Sequence, residues 1–135
     1  MLGIYEKDML LETINSHLKI SEILPQILQN LLTKYEFEKL IYANGPGSYM
    51  GIKISYISLQ TLAIVKNIPL LAISAFELND NQPIPANKQF CFVKDKNQQI
   101  TLEKIQGGDF FMPKTLKNLN FSDDNTPFYV LEAVN

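Results

Sequence analysis

One cysteine and one histidine in 135 residues leave little material for several common chemistries. Cys91 has no second cysteine with which to form an internal disulfide, and no companion at metal-finger spacing. It stands inside the apolar run Phe90-Cys91-Phe92-Val93 and reads as a buried structural thiol, because an apolar site raises the thiol pKa and leaves little thiolate. His17 is the lone imidazole, and no carboxylate pair lies beside a plausible nucleophile, so neither a catalytic triad nor a metal hydrolase can be assembled. Ser16-His17 reads instead as a loop ahead of a helix. A basic excess is missing as well. A net charge of -2 and a pI near 5.3 argue against independent nucleic-acid binding, which needs a cationic surface to neutralise phosphates. No apolar run approaches the roughly 18–20 residues of a membrane span, and the first residues lack a basic segment followed by an apolar one. These absences describe a cytoplasmic, metal-free protein away from membranes. Repeats and low-complexity tracts are absent too.

What is present suffices for one domain with an appendage: 46% of the residues are hydrophobic. Leu2-Gly3-Ile4-Tyr5 and Met9 to Ile14 flank the polar Glu6-Lys7-Asp8, the pattern of a β-hairpin. Ile20, Ile23, Leu24, Ile27, Leu28, Leu31, Leu32 and Tyr35 recur at helical spacing and predict an amphipathic helix from about Ser21 to Lys34. Ser21 or a neighbour would cap it, with Pro25 in the first turn or at a slight kink. Beyond Glu77 the composition turns polar and carries two prolines, so 78–88 reads as a linker between a first lobe, 1–77, and a reduced second lobe, 89–135. Within the second lobe, Gln89 to Lys94 and Gln99 to Ile105 read as strands, and Phe128-Tyr129-Val130-Leu131 as a short last one. Gly107-Gly108-Asp109 reads as a turn, and Phe110-Phe111-Met112-Pro113 as a segment packed on the sheet.

The most informative stretch is Ala43-Asn44-Gly45-Pro46-Gly47-Ser48-Tyr49-Met50-Gly51. It joins the apolar strand Leu40 to Ala43 to a helix from Ile52 to Lys66, after which Asn67-Ile68-Pro69 returns the chain to a second strand, Leu70 to Ile73. This is a βαβ unit with its loop at the carboxyl end of the first strand, where open α/β sheets place function. Gly45, Gly47, Ser48 and Gly51 are placed to offer backbone N–H groups to an anion. The loop nevertheless lacks the Lys-Ser/Thr of a P-loop, and its third glycine comes one residue late for a dinucleotide fingerprint. Glycines that supply positive φ and close packing, with Pro46 fixing the turn, are the simpler reading.

The helix after the loop is apolar nearly all round: between Ile52 and Lys66 only Lys53, Gln60 and Lys66 are long and polar. Such a helix needs cover on two sides, and a short chain has few elements to supply the second layer. Either the first helix covers it or a partner subunit does. The small residues Ser55, Ser58, Thr61 and Ala63 would let another helix approach. The expected contact residues are Ile54, Ile57, Ser58, Leu59, Thr61 and Leu62, with Ile27 and Leu31 of the preceding helix.

The stretch Asn44 to Glu77, with Gly-Pro-Gly-Ser-Tyr-Met-Gly-Ile-Lys followed by Asn-Ile-Pro-Leu-Leu-Ala-Ile-Ser, resembles the TsaB (YeaZ) family of bacterial tRNA threonylcarbamoyladenosine synthesis proteins. Ile4 to Pro25 is similar to the family's second and third strands and the Leu-Pro of its first long helix, so the resemblance covers about the first half of the chain. Several positions depart from the pattern. Met50 stands where Thr is usual, Lys53 where Arg is usual and Ser55 where Gly is usual; Lys19 falls at a common His, with His17 two residues earlier. The family's opening strand, ending in Ile-Asp-Thr-Ser, has no counterpart, and the second lobe is short. The resemblance implies an actin-like ATPase (ribonuclease H-like) α/β domain acting as a non-catalytic scaffold. It would self-associate and pair with TsaD through the two helices, in an assembly that includes TsaE and ATP and reaches tRNA only through the complex. No intrinsic cofactor is expected, and the peptidase activity once suggested for the family gains nothing from these residues. Two other readings stand beside it: a nucleotide-binding enzyme using the Gly45 to Gly51 loop, and a degenerate homodimer with an interaction role alone. A missing central strand would leave two rows of backbone donors and acceptors for another strand, an exchanged segment or a shifted hairpin to satisfy.

Overall fold

The turn at Lys7 and Asp8 shapes the start of the chain. Both residues adopt positive φ, 50° and 66°, and so form a two-residue hairpin turn whose twist suits the flanking strands. These strands are β1 (Leu2–Glu6) and β2 (Met9–Ile14), paired antiparallel with a register shift between Ile4 and Tyr5. The computed structural model describes residues 1–15 and 20–128. His17 and Lys19, and the part of the expected last strand from Tyr129 onward, lie outside the described residues.

Helix α1 is described over Ile20–Lys34, so Ser21 lies inside it and not at its cap. Pro25 is its sixth residue, beyond the first turn, where a proline costs the helix a backbone hydrogen bond. Strand β3 (Leu40–Ala43), helix α2 (Tyr49–Lys66) and strand β4 (Leu70–Ile73) form the expected βαβ unit, with β3 and β4 parallel and in the register Leu40↔Leu70 to Ala43↔Ile73. Ser48 caps α2 by accepting the Gly51 N–H at 3.3 Å, which starts the helix three residues ahead of the sequence-based boundary. Asn67, in the left-handed region at φ 55°, closes the other end by donating its N–H back to the last turn. Leu40, Tyr42, Ile52, Ala63, Leu70 and Ala72 make the core of this unit, with Phe37, Tyr56, Leu59, Leu62 and Ile68 against it. Helix α1 packs on α2.

The second half is a small antiparallel sheet of β5 (Ile84–Pro85), β6 (Cys91–Lys94) and β7 (Ile100–Glu103), preceded by a single 3-10 turn, Ala75–Leu78. Its core is Ala75, Phe76, Ile84 and Phe92. Residues 78–88 are therefore not a free tether. Asn79 is 1% exposed, its Nδ2 donates to the Gln82 carbonyl at 2.8 Å, and Ile84 is buried in the sheet's core beside Phe92. Polar composition hid this packing, because Asn79 is buried by folding its own turn. Cys91 is buried and unpaired as expected, with its Sγ 3.1 Å from the Ile105 carbonyl. Phe110 and Phe111 remain 39% and 38% exposed and belong to neither core cluster, so they are not packed away on the sheet as expected.

The molecule is a mixed assembly of helix and strand, but its strands do not join into one sheet. Among the described residues, β1-β2, β3-β4 and β5-β6-β7 are separate. Irregular segments of the last third bind two of the outer edges. Leu10 donates to the Lys114 carbonyl and Leu116 to the Asp8 carbonyl, both at 2.9 Å, beside β2. Ala72 and Ser122 exchange two 2.9 Å bonds beside β4. The opposite edge of β3 has no such partner among the described residues. Leu40 and Asn44 donate toward β4, to Pro69 at 2.9 Å and Ile73 at 3.1 Å, so the intervening N–H groups of Ile41 and Ala43 point the other way.

Candidate functional site

The glycine turn lies at the carboxyl ends of β3 and β4, as the βαβ pattern predicts, and is occupied by the chain itself. Gly45 has φ 126°, its peptide bond to Pro46 is cis, and a Cβ at this position would run into the Phe128 carbonyl. Only glycine lets the backbone of residues 122–128 come so close. That strap is held by a set of polar bonds. The Phe128 N–H donates to the Asn44 carbonyl at 2.7 Å, and Asn44 Nδ2 donates to the Thr126 carbonyl at 3.2 Å. Tyr42 Oη donates to the Asn125 carbonyl, and Asn125 Nδ2 donates to the Leu70 carbonyl at 2.9 Å.

A cavity of about 380 Å³ lies beside the turn, lined by Asn44, Gly45 and Pro46, by Ser74 and Ile100, and by the strap from Ser122 to Phe128. Its polar side chains are engaged in holding the walls. Ser74 Oγ accepts from the Phe76 N–H at 3.3 Å, Ser122 Oγ from the Asp124 N–H at 3.1 Å, and Thr126 Oγ1 donates to Asp124 at 2.7 Å. The Thr126 hydroxyl and N–H together hold the Asp124 carboxyl below its ordinary pKa. Of the four residues expected at an anion site, only Gly45 reaches this cavity. Ser48 spends its hydroxyl on Gly51, and the nearest atom to a Cβ at Gly47 would be Ile52 Cδ1 at 3.7 Å, which is ordinary packing. Among the lining residues no cation faces a phosphate, and the one charge is negative. The arrangement is that of a built turn.

The second candidate surface is α2. Met50, Ile57 and Ile64 follow one another seven residues apart and are 56%, 52% and 70% exposed, with Val65 beside them at 72%. Residues spaced by seven fall on one face of a helix, so Met50, Ile57 and Ile64 line up along its length, with the exposed Lys53 and Thr61 between them. Leaving a branched aliphatic side chain so exposed forgoes on the order of 1–2 kcal/mol that burial would supply. The expected contact set divides across this helix. Ile57 and Thr61 are exposed, and Thr61 turns its hydroxyl to the Ile57 carbonyl at 2.7 Å; Ile54 and Ser58 are half-buried. Leu59 and Leu62 pack on the βαβ core, Ile27 is half-buried, and Leu31 is 4% exposed and belongs to the interior. The reason is geometric. A helix lying on a sheet and against α1 has one free stripe, and a sequence apolar all round does not say which. Met50 and Ile64 belong to that stripe and were missed, although the seven-residue spacing from Ile57 was there to be read; the exposed Val65 beside Ile64 was missed as well.

Among the described residues no group of His, Cys, Asp or Glu is placed to hold a metal ion, and no helix is long and apolar enough to cross a membrane. No protein-family model matches the chain, and no curated protein matches it. Among solved structures, an uncharacterized protein with similarity to peptidase YeaZ from Pseudomonas aeruginosa matches 72% of this chain at 17% identity, with a TM-score of 0.42. The match covers 50% of that protein, so this chain spans about half its length.

Proposed function

We propose that the chain is a non-catalytic interaction subunit of the TsaB type, whose partner face is the exposed stripe of α2. The observation that carries this reading is the line Met50, Ile57 and Ile64 with Val65 beside it, apolar side chains more than half exposed on a helix whose other sides are covered by the chain's own core. The motif resemblance supplies the partner: TsaD, in the assembly with TsaE and ATP that transfers a threonylcarbamoyl group to adenosine in tRNA. The chemistry then belongs to TsaD, and tRNA is reached through the complex. In the absence of TsaD the same stripe pairs two copies of this chain.

Size-exclusion chromatography with light scattering tests it, on the chain alone and mixed with TsaD from the same source. A heterodimer formed at the expense of a homodimer is the expected outcome, and Ile57→Arg abolishes both while leaving the fold intact. A chain that stays monomeric and ignores TsaD, or an Ile57→Arg variant that still binds it, overturns the reading.

A further inference from the structure

Asn44 precedes Gly45 at the point where the strap meets β3. An asparagine followed by glycine is open to attack by the next backbone nitrogen, because glycine presents no Cβ to hinder the approach. The deprotonated Gly45 nitrogen bonds to Asn44 Cγ, Nδ2 leaves as ammonia, and a five-membered succinimide closes. Water then opens that ring to aspartate or isoaspartate. In this fold the reacting amide is restrained. Asn44 donates its N–H to Ile73 at 3.1 Å, accepts from the Phe128 N–H at 2.7 Å, and gives Nδ2 to the Thr126 carbonyl at 3.2 Å. Two of the three restraints come from the strap.

We propose that Asn44-Gly45 is a deamidation site guarded by the strap 122–128, so that lifting the strap permits the reaction and the reaction prevents the strap from returning. An aspartate side chain at position 44 has no N–H to replace the Nδ2 bond to the Thr126 carbonyl. Its carboxylate would also share the cavity with Asp124, which the Thr126 hydroxyl and N–H favour in the ionised form. A lost donor and a like charge both disfavour the closed strap. The result is a one-way covalent switch that releases the strap from the edge of β4, where Ser122 is bonded to Ala72.

The full chain, incubated at mildly alkaline pH and digested with trypsin, yields Leu40 to Lys53 as one peptide in which Asn44 is the sole asparagine. Conversion makes this peptide one mass unit heavier and splits it into two chromatographic forms. The expected order of rates is native chain, then Asn125→Ala, which loses the 2.9 Å anchor to Leu70, then the chain in denaturant, with each step several-fold faster. Asn44→Asp is expected to lose amide-exchange protection at Ser122 and Phe128, and Asn44→Gln to show no fast conversion. Equal rates in the native and denatured chain would show that the strap guards nothing. Retained protection at Ser122 and Phe128 in Asn44→Asp would show that the switch does not hold it open. Either result overturns the proposal, and neither depends on Asn125→Ala folding.

Discussion

At the scale of single residues, Gly45 and Gly47 illustrate what a glycine-rich motif leaves undecided. The two read alike in sequence, yet only Gly45 takes positive φ with a carbonyl where a Cβ would go. Gly45→Ala is expected to cost about 2 kcal/mol or more from backbone strain and the displaced strap. Gly47→Ala should stay within about 0.5 kcal/mol of the parent, and urea unfolding of the two variants separates them. Tyr35 gives a second prediction. Its hydroxyl donates to Glu12 at 3.0 Å, tying the residue after α1 to β2, and that bond, with the negative charge of Glu12 and Glu6, raises the phenol pKa above 10.0. A raised folded-state pKa means stability that is complete below the unfolded value and is lost as pH rises through the folded one. Thermal melts should therefore show the parent losing stability above about pH 10 more steeply than Tyr35→Phe; parallel curves would remove the interaction from consideration.

At the scale of elements, the local signals were legible and the long-range ones were not. The hairpin, both helices and the strands of the βαβ unit follow from periodicity and turn residues within each segment. Strand β5 was missed because two residues, one a proline, have no period to detect. The strap was missed because it has no regular structure, and its bonds to Asn44, Tyr42 and Leu70 span 55 to 83 positions of sequence. The edge of β3 is where a consequence of sheet division can be tested. Its four residues, Leu-Ile-Tyr-Ala, carry none of the lysines or prolines that protect an exposed edge. Because the Ile41 N–H points away from β4, Ile41→Pro removes no hydrogen bond described in the molecule, whereas Tyr42→Pro removes one of the β3-β4 ladder. Urea titration should find Tyr42→Pro unfolded or destabilised by about 3 kcal/mol or more, with Ile41→Pro much closer to the parent. Equal losses would mean that the outward edge is already paired in solution.

At the scale of the whole molecule, two small cores and the exposed stripe of α2 divide the labour among the described residues. The βαβ core and the β5-β6-β7 core each bury a handful of side chains, and neither uses Met50, Ile57, Ile64 or Val65. A charge placed on the stripe and a charge placed under the helix should therefore have opposite consequences, although the residues are neighbours in sequence. Ile57→Arg or Ile64→Arg puts a guanidinium into water and is expected to leave the unfolding midpoint within the scatter of surface substitutions, about 0.5 kcal/mol. Leu59 is partly buried against the βαβ core, so Leu59→Arg brings the same group against that core, where even partial burial of an unpaired charge is destabilising. Measured together by light scattering and chemical unfolding, the stripe variants should lose association at full stability, while Leu59→Arg should lose stability first. If Ile57→Arg and Ile64→Arg unfold as readily as Leu59→Arg, the stripe is part of the fold of the single chain and no longer a surface held for a partner.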